Sequence, residues 1–182
     1  MSGLAAPITG DGVRADPMAE AHRAALKAAC AEDLAIWDIF ALNFGPEQFD
    51  ASFDRIMALP WARFVLFDEA GDLIGMSSFL NIVEDRQLLE IGNTYYRPRF
   101  RGTGINHRIK DMMMRRAFEC GYTRIEYRVD LRNLRSQAAM AKLGAAREGV
   151  MRKDRTTWTG HRRDTVLFSI LKDEWPPAEA AR

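Results

Sequence analysis

The chain has 182 residues, 47% of them hydrophobic, and a formal net charge of +1 at pH 7. This length suits one well-packed α/β domain and is short for two. No apolar run approaches the length of a membrane span, and the N-terminus lacks a basic-then-apolar signal pattern. Cys30 and Cys120 lie far apart without CxxC or Cys/His metal spacing. We therefore predict a soluble cytoplasmic protein with free thiols and no metal site.

The small net charge hides an asymmetry along the chain. Residues 1–92 hold 6 Lys and Arg against 15 Asp and Glu, a balance of −9, whereas residues 93–182 hold 20 against 10, a balance of +10. If both halves face one cleft, an anionic ligand is drawn to the second half and a cationic one to the first. The alternative is that the halves neutralise each other across a solvated surface, and the sequence leaves both open.

The first third of the chain predicts a tail, a strand and helices. Residues 1–12 are rich in Gly, Ala and Pro, which predicts a flexible tail, and residues 13–16 predict a short strand. Apolar spacing then predicts helices at 17–30, 32–40 and 49–57. Four aromatic residues are candidates both for the core and for the walls of a substrate cleft: Trp37, Phe40, Phe44 and Trp158.

The rest of the chain alternates between strand and helix patterns. Strands are predicted at 63–68, 73–81, 87–95, 124–130, 146–152 and 164–171. A long helix begins at Ile105 and ends before Gly121, and a shorter one spans 134–143. This order predicts an α/β fold with a mixed sheet of about seven strands and helices on both faces. We expect a single domain at 13–175 and a C-terminal tail at 176–182.

A glycine-rich turn, Arg99-Phe100-Arg101-Gly102-Thr103-Gly104, lies between the third of these strands and the long helix. Such a turn presents backbone N–H groups at a helix N-terminus, where the dipole favours an anion. Taken alone, the two glycines are better explained by a tight turn that requires φ > 0 than by an anion site. The NTPase phosphate loop and the dinucleotide fingerprint both fail, because Gly104 is followed by Ile105-Asn106-His107 rather than by Lys-Ser/Thr or a third glycine.

An ordered series of motifs resembles the GCN5-related N-acetyltransferases (GNAT). Arg99-x-x-Gly102-x-Gly104 resembles the family's Arg/Gln-x-x-Gly-x-Gly/Ala pyrophosphate loop. Segments 90–92, 130–136, 142–145 and 147–149 resemble the RimJ/RimL-type branch, and the resemblance covers about residues 10–175. It implies a mostly antiparallel sheet with a splayed pair of parallel strands at an acetyl-CoA site. It also implies direct acetyl transfer to a primary amine, either a protein N-terminus or a small-molecule amine.

The resemblance implies catalytic roles for two residues. Glu90 matches a glutamate that serves as general base in RimL-type enzymes, and Ser136 matches the serine proposed to protonate the CoA thiolate. Tyr127 or another aromatic residue stays open as the proton donor. The residues themselves allow simpler explanations. Glu90 could pair with a neighbouring arginine, and Asn133 with Ser136 could form a helix N-cap.

The cofactor assignment combines residue chemistry with the resemblance. Gly92 in mid-strand predicts a bulge or a close backbone approach, and the resemblance implies oxyanion donors next to it. The candidate cofactor-binding residues are Asn93, Thr94, Arg99, Arg101, Gly102, Thr103, Gly104, Ile105, Asn106, Asn133 and Ser136. A solvated basic face explains the neighbouring Lys110, Arg135 and Lys142 as well as phosphate contact does.

A second class of function stays open. A catalytically weak acyl-CoA-binding sensor or scaffold would need Gly102, Gly104 and Asn133 but not Glu90 or Ser136. The arginine-rich second half lacks a recognised nucleic-acid-binding motif and contains interspersed acids, so we expect no nucleic-acid partner. A homodimer is compatible with the sequence but is not indicated by it.

Overall fold

The computed structural model describes residues 3–175. Its strands are β1 (Ile8–Gly10), β2 (Val13–Pro17), β3 (Ala62–Asp68), β4 (Leu73–Val83), β5 (Leu88–Tyr96), β6 (Arg124–Asp130), β7 (Ala146–Thr156) and β8 (Arg162–Leu171). Its α-helices are α1 (Arg23–Cys30), α2 (Phe49–Met57), α3 (Ile105–Glu119) and α4 (Leu134–Lys142). Short 3-10 turns lie at Glu20–His22, Ala35–Ile39 and Pro98–Phe100.

The strands form one sheet in the order β1-β2-β3-β4-β5-β6-β8-β7. Every neighbouring pair is antiparallel except β5 and β6, which run parallel. The predicted mixed and mostly antiparallel α/β fold is therefore confirmed. The described residues form eight strands instead of the predicted seven or so, and β1 is the extra one.

Strand β1 lies inside the segment that the sequence predicted to be a flexible tail. It pairs with β2 through a two-residue turn at Asp11 and Gly12, whose φ angles are 44° and 72°. Asp-Gly is a strong hairpin signal because both positions tolerate positive φ. Leu4 and Ile8 are buried on the core, so the part of this segment that the structure describes is packed. The predicted C-terminal tail at 176–182 lies outside the described residues.

Two hydrophobic clusters cover the two faces of the sheet. One packs β3, β4 and β5 against α3 and includes Phe64, Phe79 and Met113. The other packs α1, α2 and the 3-10 turn at Ala35–Ile39 against the opposite face. Trp37 and Phe44 are fully buried in this second cluster, so the core explanation holds for both. The segment predicted as a helix at 32–40 is regular only as the 3-10 turn.

Candidate active site

The parallel strands β5 and β6 separate in the middle of the sheet. Their pairing covers only Leu88 to Glu90 on β5 and Arg124 to Glu126 on β6. Beyond Glu90, β5 remains paired with β4 as far as Tyr96, and β6 remains paired with β8 as far as Asp130. Each strand therefore follows its other neighbour, and a gap opens between them. The splayed pair that the resemblance implied is present.

A β-bulge in β5 faces this gap. Met76 pairs with Tyr95 and Ser78 with Gly92, so Asn93 and Thr94 together lie opposite Ser77. Asn93 has a φ of 49°, in the left-handed region. A bulge leaves backbone groups without ladder partners, and the sequence placed the irregularity one residue earlier, at Gly92. The amide nitrogen of the Asn93 side chain is buried and has no hydrogen-bond partner among the described residues.

The gap continues into a cavity of about 660 Å³ that extends to the start of α3. Its walls come from β5, β6, α3, α4, the β7–β8 hairpin and the segment after the 3-10 turn at Ala35–Ile39. The predicted site residues that line it are Glu90, Asn93, Thr94, Arg101, Gly102, Gly104, Ile105, Asn106, Asn133 and Ser136. Phe40 is also on the wall, which favours its cleft role, whereas Trp37 and Phe44 are core residues.

The glycine turn lies at one end of this cavity. Gly102 and Gly104 have φ angles of 79° and 83°, and Gly104 is the N-cap residue of α3. A Cβ added at either glycine would meet no atom within 4 Å, so open space lies in front of this backbone. The first N–H groups of a helix have no intrahelical partners. The positive φ angles confirm the tight-turn explanation. The N–H groups at the start of α3 are also donors that an anion could use, and the anion site stays a prediction.

Two predicted cofactor residues do not line the cavity. The guanidinium group of Arg99 lies 3.0 Å from Asp72 Oδ2, on the surface. The Thr103 hydroxyl donates to the Phe100 carbonyl at 2.8 Å and is exposed. Arg101 does line the cavity, but its guanidinium group pairs with Asp33. Around the glycine turn, acids of the first half thus neutralise arginines of the second half.

Glu90 is buried at the point where β5 and β6 separate, with 4% of its surface exposed. Asn81 Nδ2 donates to its Oε2 at 2.6 Å, and Arg128 Nε lies 3.5 Å from the same oxygen. Its Oε1 lies over Gly92, where an added Cβ would be only 2.9 Å away. Burial raises the pKa of Glu90 above its ordinary value, although Arg128 and Asn81 act in the opposite direction. A side chain at Gly92 would therefore displace the carboxylate from this position.

Asn133 and Ser136 form the N-terminus of α4. Asn133 is its N-cap, and its Oδ1 accepts a hydrogen bond from the Ser136 backbone N–H at 3.0 Å. The capping explanation is thus confirmed. Both residues also line the cavity and are half-buried. The cap leaves the Asn133 amide group and the Ser136 hydroxyl free to face a ligand.

Lys110, which the sequence analysis considered for a solvated basic face, is buried in the cavity wall beside Thr94 and Tyr127. Lys110 on α3 is 4% exposed, and its Nζ donates to Thr94 Oγ1 at 3.1 Å. Thr94 Oγ1 in turn lies 2.7 Å from Ser77 Oγ, and the Tyr127 ring centroid is 5.1 Å from Nζ. Burial lowers the pKa of Lys110 to about 7, although Glu90 raises it in part. Its spacing from Met113, Met114 and Ala117 along one helical face was the signal for burial.

The far end of the cavity holds three arginines. Arg128 on β6, Arg155 on β7 and Arg163 on β8 line it together with Glu90 and Asp130. Above them, Trp158 Nε1 donates to the Trp37 carbonyl at 2.7 Å and ties the β7–β8 hairpin to the 3-10 turn at Ala35–Ile39. Neither Arg155 nor Arg163 was a candidate from the sequence. Both lie outside the motif segments and more than sixty residues along the chain from Glu90, and the sheet topology brings them to it.

The GNAT acetyltransferase domain model matches residues 13–146. This chain belongs to the GNAT acetyltransferase family. A solved protein from Chromobacterium violaceum ATCC 12472, assigned to the GNAT acetyltransferases, is 29% identical, with 93% of this chain and 88% of that chain covered and a TM-score of 0.86. One from T. thermophilus, assigned as an acetyltransferase, is 32% identical, with 96% and 93% covered and a TM-score of 0.85. A search of curated proteins found no match.

More distant GNAT structures agree with the fold alone. RimL, the ribosomal L7/L12 alpha-N-protein acetyltransferase, is 17% identical, with 91% of this chain and 93% of that chain covered and a TM-score of 0.78. Spermidine N-acetyltransferase from Vibrio cholerae, solved with CoA and spermine, is 15% identical, with 91% and 98% covered and a TM-score of 0.73. Because these two enzymes have different acceptors on one fold, the fold does not identify the acceptor.

The GNAT family uses acetyl-CoA, and the residues of this cavity fit it. The open glycine turn suits a pyrophosphate. Six buried polar groups of cavity-lining residues have no hydrogen-bond partner among residues 3–175. They are the Asn93 amide nitrogen, the hydroxyls of Tyr96 and Tyr127, and one guanidinium nitrogen each of Arg101, Arg128 and Arg163. Buried polar groups without partners are costly, which favours a polar ligand there. Across the same residues, no His, Cys, Asp and Glu cluster could hold a metal ion, and no helix could cross a membrane.

Proposed function

We propose that this GNAT protein is an N-acetyltransferase that transfers acetyl from acetyl-CoA directly to a primary amine. One observation carries the proposal: the splayed strands place a buried carboxylate, Glu90, in the same cavity as the open glycine turn. A sensor that only binds acyl-CoA needs the turn but has no use for a carboxylate buried at the cost of its hydration. Supporting motifs favour the RimJ/RimL-type branch, and the free thiols of Cys30 and Cys120 favour the cytoplasm.

In the proposed complex, backbone N–H groups hold most of the acetyl donor, acetyl-CoA. The N–H groups at Gly104, Ile105 and Asn106 would bind the pyrophosphate, with Gly102 shaping the turn. Donors at the Asn93–Thr94 bulge would face the acyl carbonyl. The Asn133 amide would bind the pantetheine arm, and Arg101 remains near the phosphates. Arg99 is left out of this set because its guanidinium group is held by Asp72 outside the cavity.

Glu90 is the proposed general base. An α-amino group has a pKa near 8 and a lysine near 10.4, so most acceptor amines carry an extra proton at neutral pH. A carboxylate whose pKa is raised by burial accepts that proton more readily than an exposed one. Because Oε2 is engaged by Asn81, Oε1 over Gly92 is the oxygen we assign to this step.

Three groups on the cavity wall could return a proton to the departing thiolate: Ser136, Tyr127 and Lys110. Acetyl-CoA, when bound, supplies an activated thioester whose thiolate is a weak base. Burial moves the pKa of Tyr127 well above its ordinary value, which makes its hydroxyl a poorer acid. The pKa of Lys110 is about 7, near the operating pH. We therefore favour Lys110 over the serine that the resemblance implied. A larger loss of kcat in Ser136→Ala than in Lys110→Met would contradict this choice.

The test measures free-thiol release from acetyl-CoA with a panel of N-terminal peptides, polyamines and amino acids. A thermal-shift experiment with CoA is run alongside. Amine-dependent release in a protein that CoA stabilises is the expected result. Stabilisation by CoA without release from any amine would contradict the enzyme and favour the sensor or scaffold.

A further inference from the structure

Three guanidinium groups converge on the acceptor end of the cavity. Arg155 and Arg163 are directly opposed on β7 and β8, and Arg128 lies on β6, the other neighbour of β8. Like charges directly opposite each other destabilise an antiparallel pair. Arg163 is nevertheless only 6% exposed. Asp130 and Asp154 offset part of the repulsion, since Asp154 pairs with Arg155 and Asp130 lies 3.9 Å from Arg163.

The hydrogen bonds within the chain do not use these guanidinium groups fully. Arg163 donates one N–H to the Arg128 carbonyl at 2.8 Å, but its Nε has no hydrogen-bond partner among the described residues, and Asp130 Oδ2 is 3.9 Å away. Arg128 Nε is likewise buried without a hydrogen bond, although Glu90 Oε2 is 3.5 Å away. Arg155 pairs with Asp154 at 2.7 Å. Arg128 also donates to Glu126 Oε2 at 3.2 Å. The Nε atoms of Arg128 and Arg163 are therefore buried near an acid but without a hydrogen bond.

The lining of this end carries three arginines against two acids, while Glu126 and Asp154 behind it pair with Arg128 and Arg155. Glu90 and Asp130 are the acids on its wall, and Asp130 is already engaged by Arg132 at 2.8 Å. Burial lowers the pKa of Arg163, and its neighbour Arg155 lowers it further. Glu90 is the first-half acid on this wall, among the described residues, and it lies 3.5 Å from Arg128, whereas Asp33 pairs with Arg101 at the other end. The cationic acceptor that the charge asymmetry suggested would meet three guanidinium groups.

We propose that the acceptor is a small amine that also carries an oxyanion, and that Arg163, Arg155 and Arg128 bind this oxyanion while the amine faces Glu90. The inference rests on the proposed function and names its substrate class. Arginine forks bind carboxylate and phosphate-like groups with two parallel hydrogen bonds. The neighbouring wall is apolar, with Phe40, Leu42, Trp61 and Leu80. An α-amino acid with an apolar side chain combines all three features. A polyamine is disfavoured because its second cation is repelled.

The experiment compares matched amines. Apolar α-amino acids, their carboxamides, their aminophosphonate analogues and spermidine are each tested for thiol release from acetyl-CoA. We expect kcat/KM to be at least about tenfold higher for the carboxylate or the phosphonate than for the carboxamide, since a site built for a polar group rejects the analogue that lacks it. Amine basicity cannot produce this result, because amidation lowers the pKa of the amine. The two anionic arms show whether the oxyanion is a carboxylate or a phosphonate type.

Arginine variants test whether the preference for an anionic acceptor over its carboxamide depends on these side chains. Arg155→Gln and Arg163→Gln should each bring the ratio of the two kcat/KM values towards one, and Arg147→Gln, an exposed arginine on β7 outside the cavity, should leave it unchanged. Stabilisation by CoA checks that each variant folds, and the less buried Arg155 serves if the Arg163 variant does not. An amino acid should add to the stabilisation by CoA more than its carboxamide does.

Two negative outcomes are distinguishable. If the carboxamides or spermidine are acetylated as efficiently as the free amino acids, the oxyanion inference is wrong while the N-acetyltransferase stands. If no amine releases thiol, the proposed function fails and the inference fails with it.

Discussion

The two ends of the cavity are made from different parts of the protein. The proposed cofactor end is largely backbone from one continuous segment, the bulge at Asn93–Thr94 and the turn at Gly102–Gly104 before α3. The proposed acceptor end is made of charged side chains from β5, β6, β7 and β8, which the sheet order brings together. Recognition by backbone needs glycine at fixed spacing and therefore leaves a motif. Recognition by scattered side chains leaves none.

The largest expected effect is at the acceptor end. Glu90→Gln should lower turnover at pH 7 by about 100-fold or more, because a positioned general base contributes at least that much. Thermal stabilisation by CoA should change little, since the amide keeps the volume of the carboxylate. Glu119→Gln, at the exposed end of α3, is the matched control. Near-normal turnover in the Glu90 variant would remove it from the mechanism.

The next largest effect is expected from a substitution in the glycine turn at the proposed cofactor end. Gly104→Val should weaken CoA binding by about 30-fold, equivalent to about 2 kcal/mol, because a branched side chain is strained at positive φ and occupies the space in front of the turn. Gly71→Val is a close control. Its φ of 84° matches the 83° of Gly104, and a Cβ added there also meets no atom within 4 Å. Both variants carry the same backbone strain. A calorimetric CoA titration should show weaker binding to Gly104→Val and unchanged binding to Gly71→Val. Equal CoA affinity in the two variants would contradict the proposed pyrophosphate site at the glycine turn.

Lys110 lies between the two ends and should be visible in the pH dependence of stability. Its folded-state pKa of about 7 is below the ordinary 10.5, so between these values the unfolded chain binds more protons. The cost of burying Lys110 is present in full below pH 7 and is relieved as pH rises. From pH 7 to 8.5 the free energy of unfolding should gain about 1.5 kcal/mol from this group.

Urea denaturation of Lys110→Met at the same two pH values measures that contribution. The variant should lose the gain, whereas Lys142→Met, an exposed lysine on α4, should keep it. The same slope in wild type and in Lys110→Met would show that the lysine is solvated or differently paired.

The smallest expected effect comes from removing the hydrogen bond between Trp158 and Trp37, which links the β7–β8 hairpin to the 3-10 turn at Ala35–Ile39. Trp158→Phe removes the Nε1 donor to the Trp37 carbonyl but keeps an aromatic ring at a position that is 45% exposed. We expect a loss of about 1 kcal/mol in the free energy of unfolding. The acceptor KM should rise while CoA affinity stays constant. A change confined to CoA affinity would show that the hairpin supports cofactor binding and not acceptor binding, which would contradict this prediction.

The fold was predictable because its signals are local. The predicted bounds of β6 match the structure, and those of β3, β4 and β5 differ by at most two residues, because apolar alternation and turn residues mark them. β1 was missed although Asp11-Gly12 signals a hairpin, since its three residues are too short for a periodicity argument. The predicted helix at 32–40 failed because its aromatic residues pack into the core from a 3-10 turn.

The site was predictable only where a motif encodes it. Glu90, Asn93 and Gly104 lie in the cavity where the resemblance placed them. Arg99 fits the motif by position, but a nearby acid, Asp72, holds its side chain elsewhere. Arg155 and Arg163 belong to a hairpin whose position beside β6 depends on the order β6-β8-β7. A long-range pairing of this kind has no local signature.

The family match ends at residue 146, and the β7–β8 hairpin begins there. Arg155, Trp158 and Arg163 all lie beyond that boundary. The proposed acceptor contacts Arg155 and Arg163 therefore lie outside the segment that carries the glycine turn. Substitutions in the hairpin can change the proposed acceptor contacts without altering that turn. The residues after 146 are thus the ones to compare when relatives are sorted by substrate.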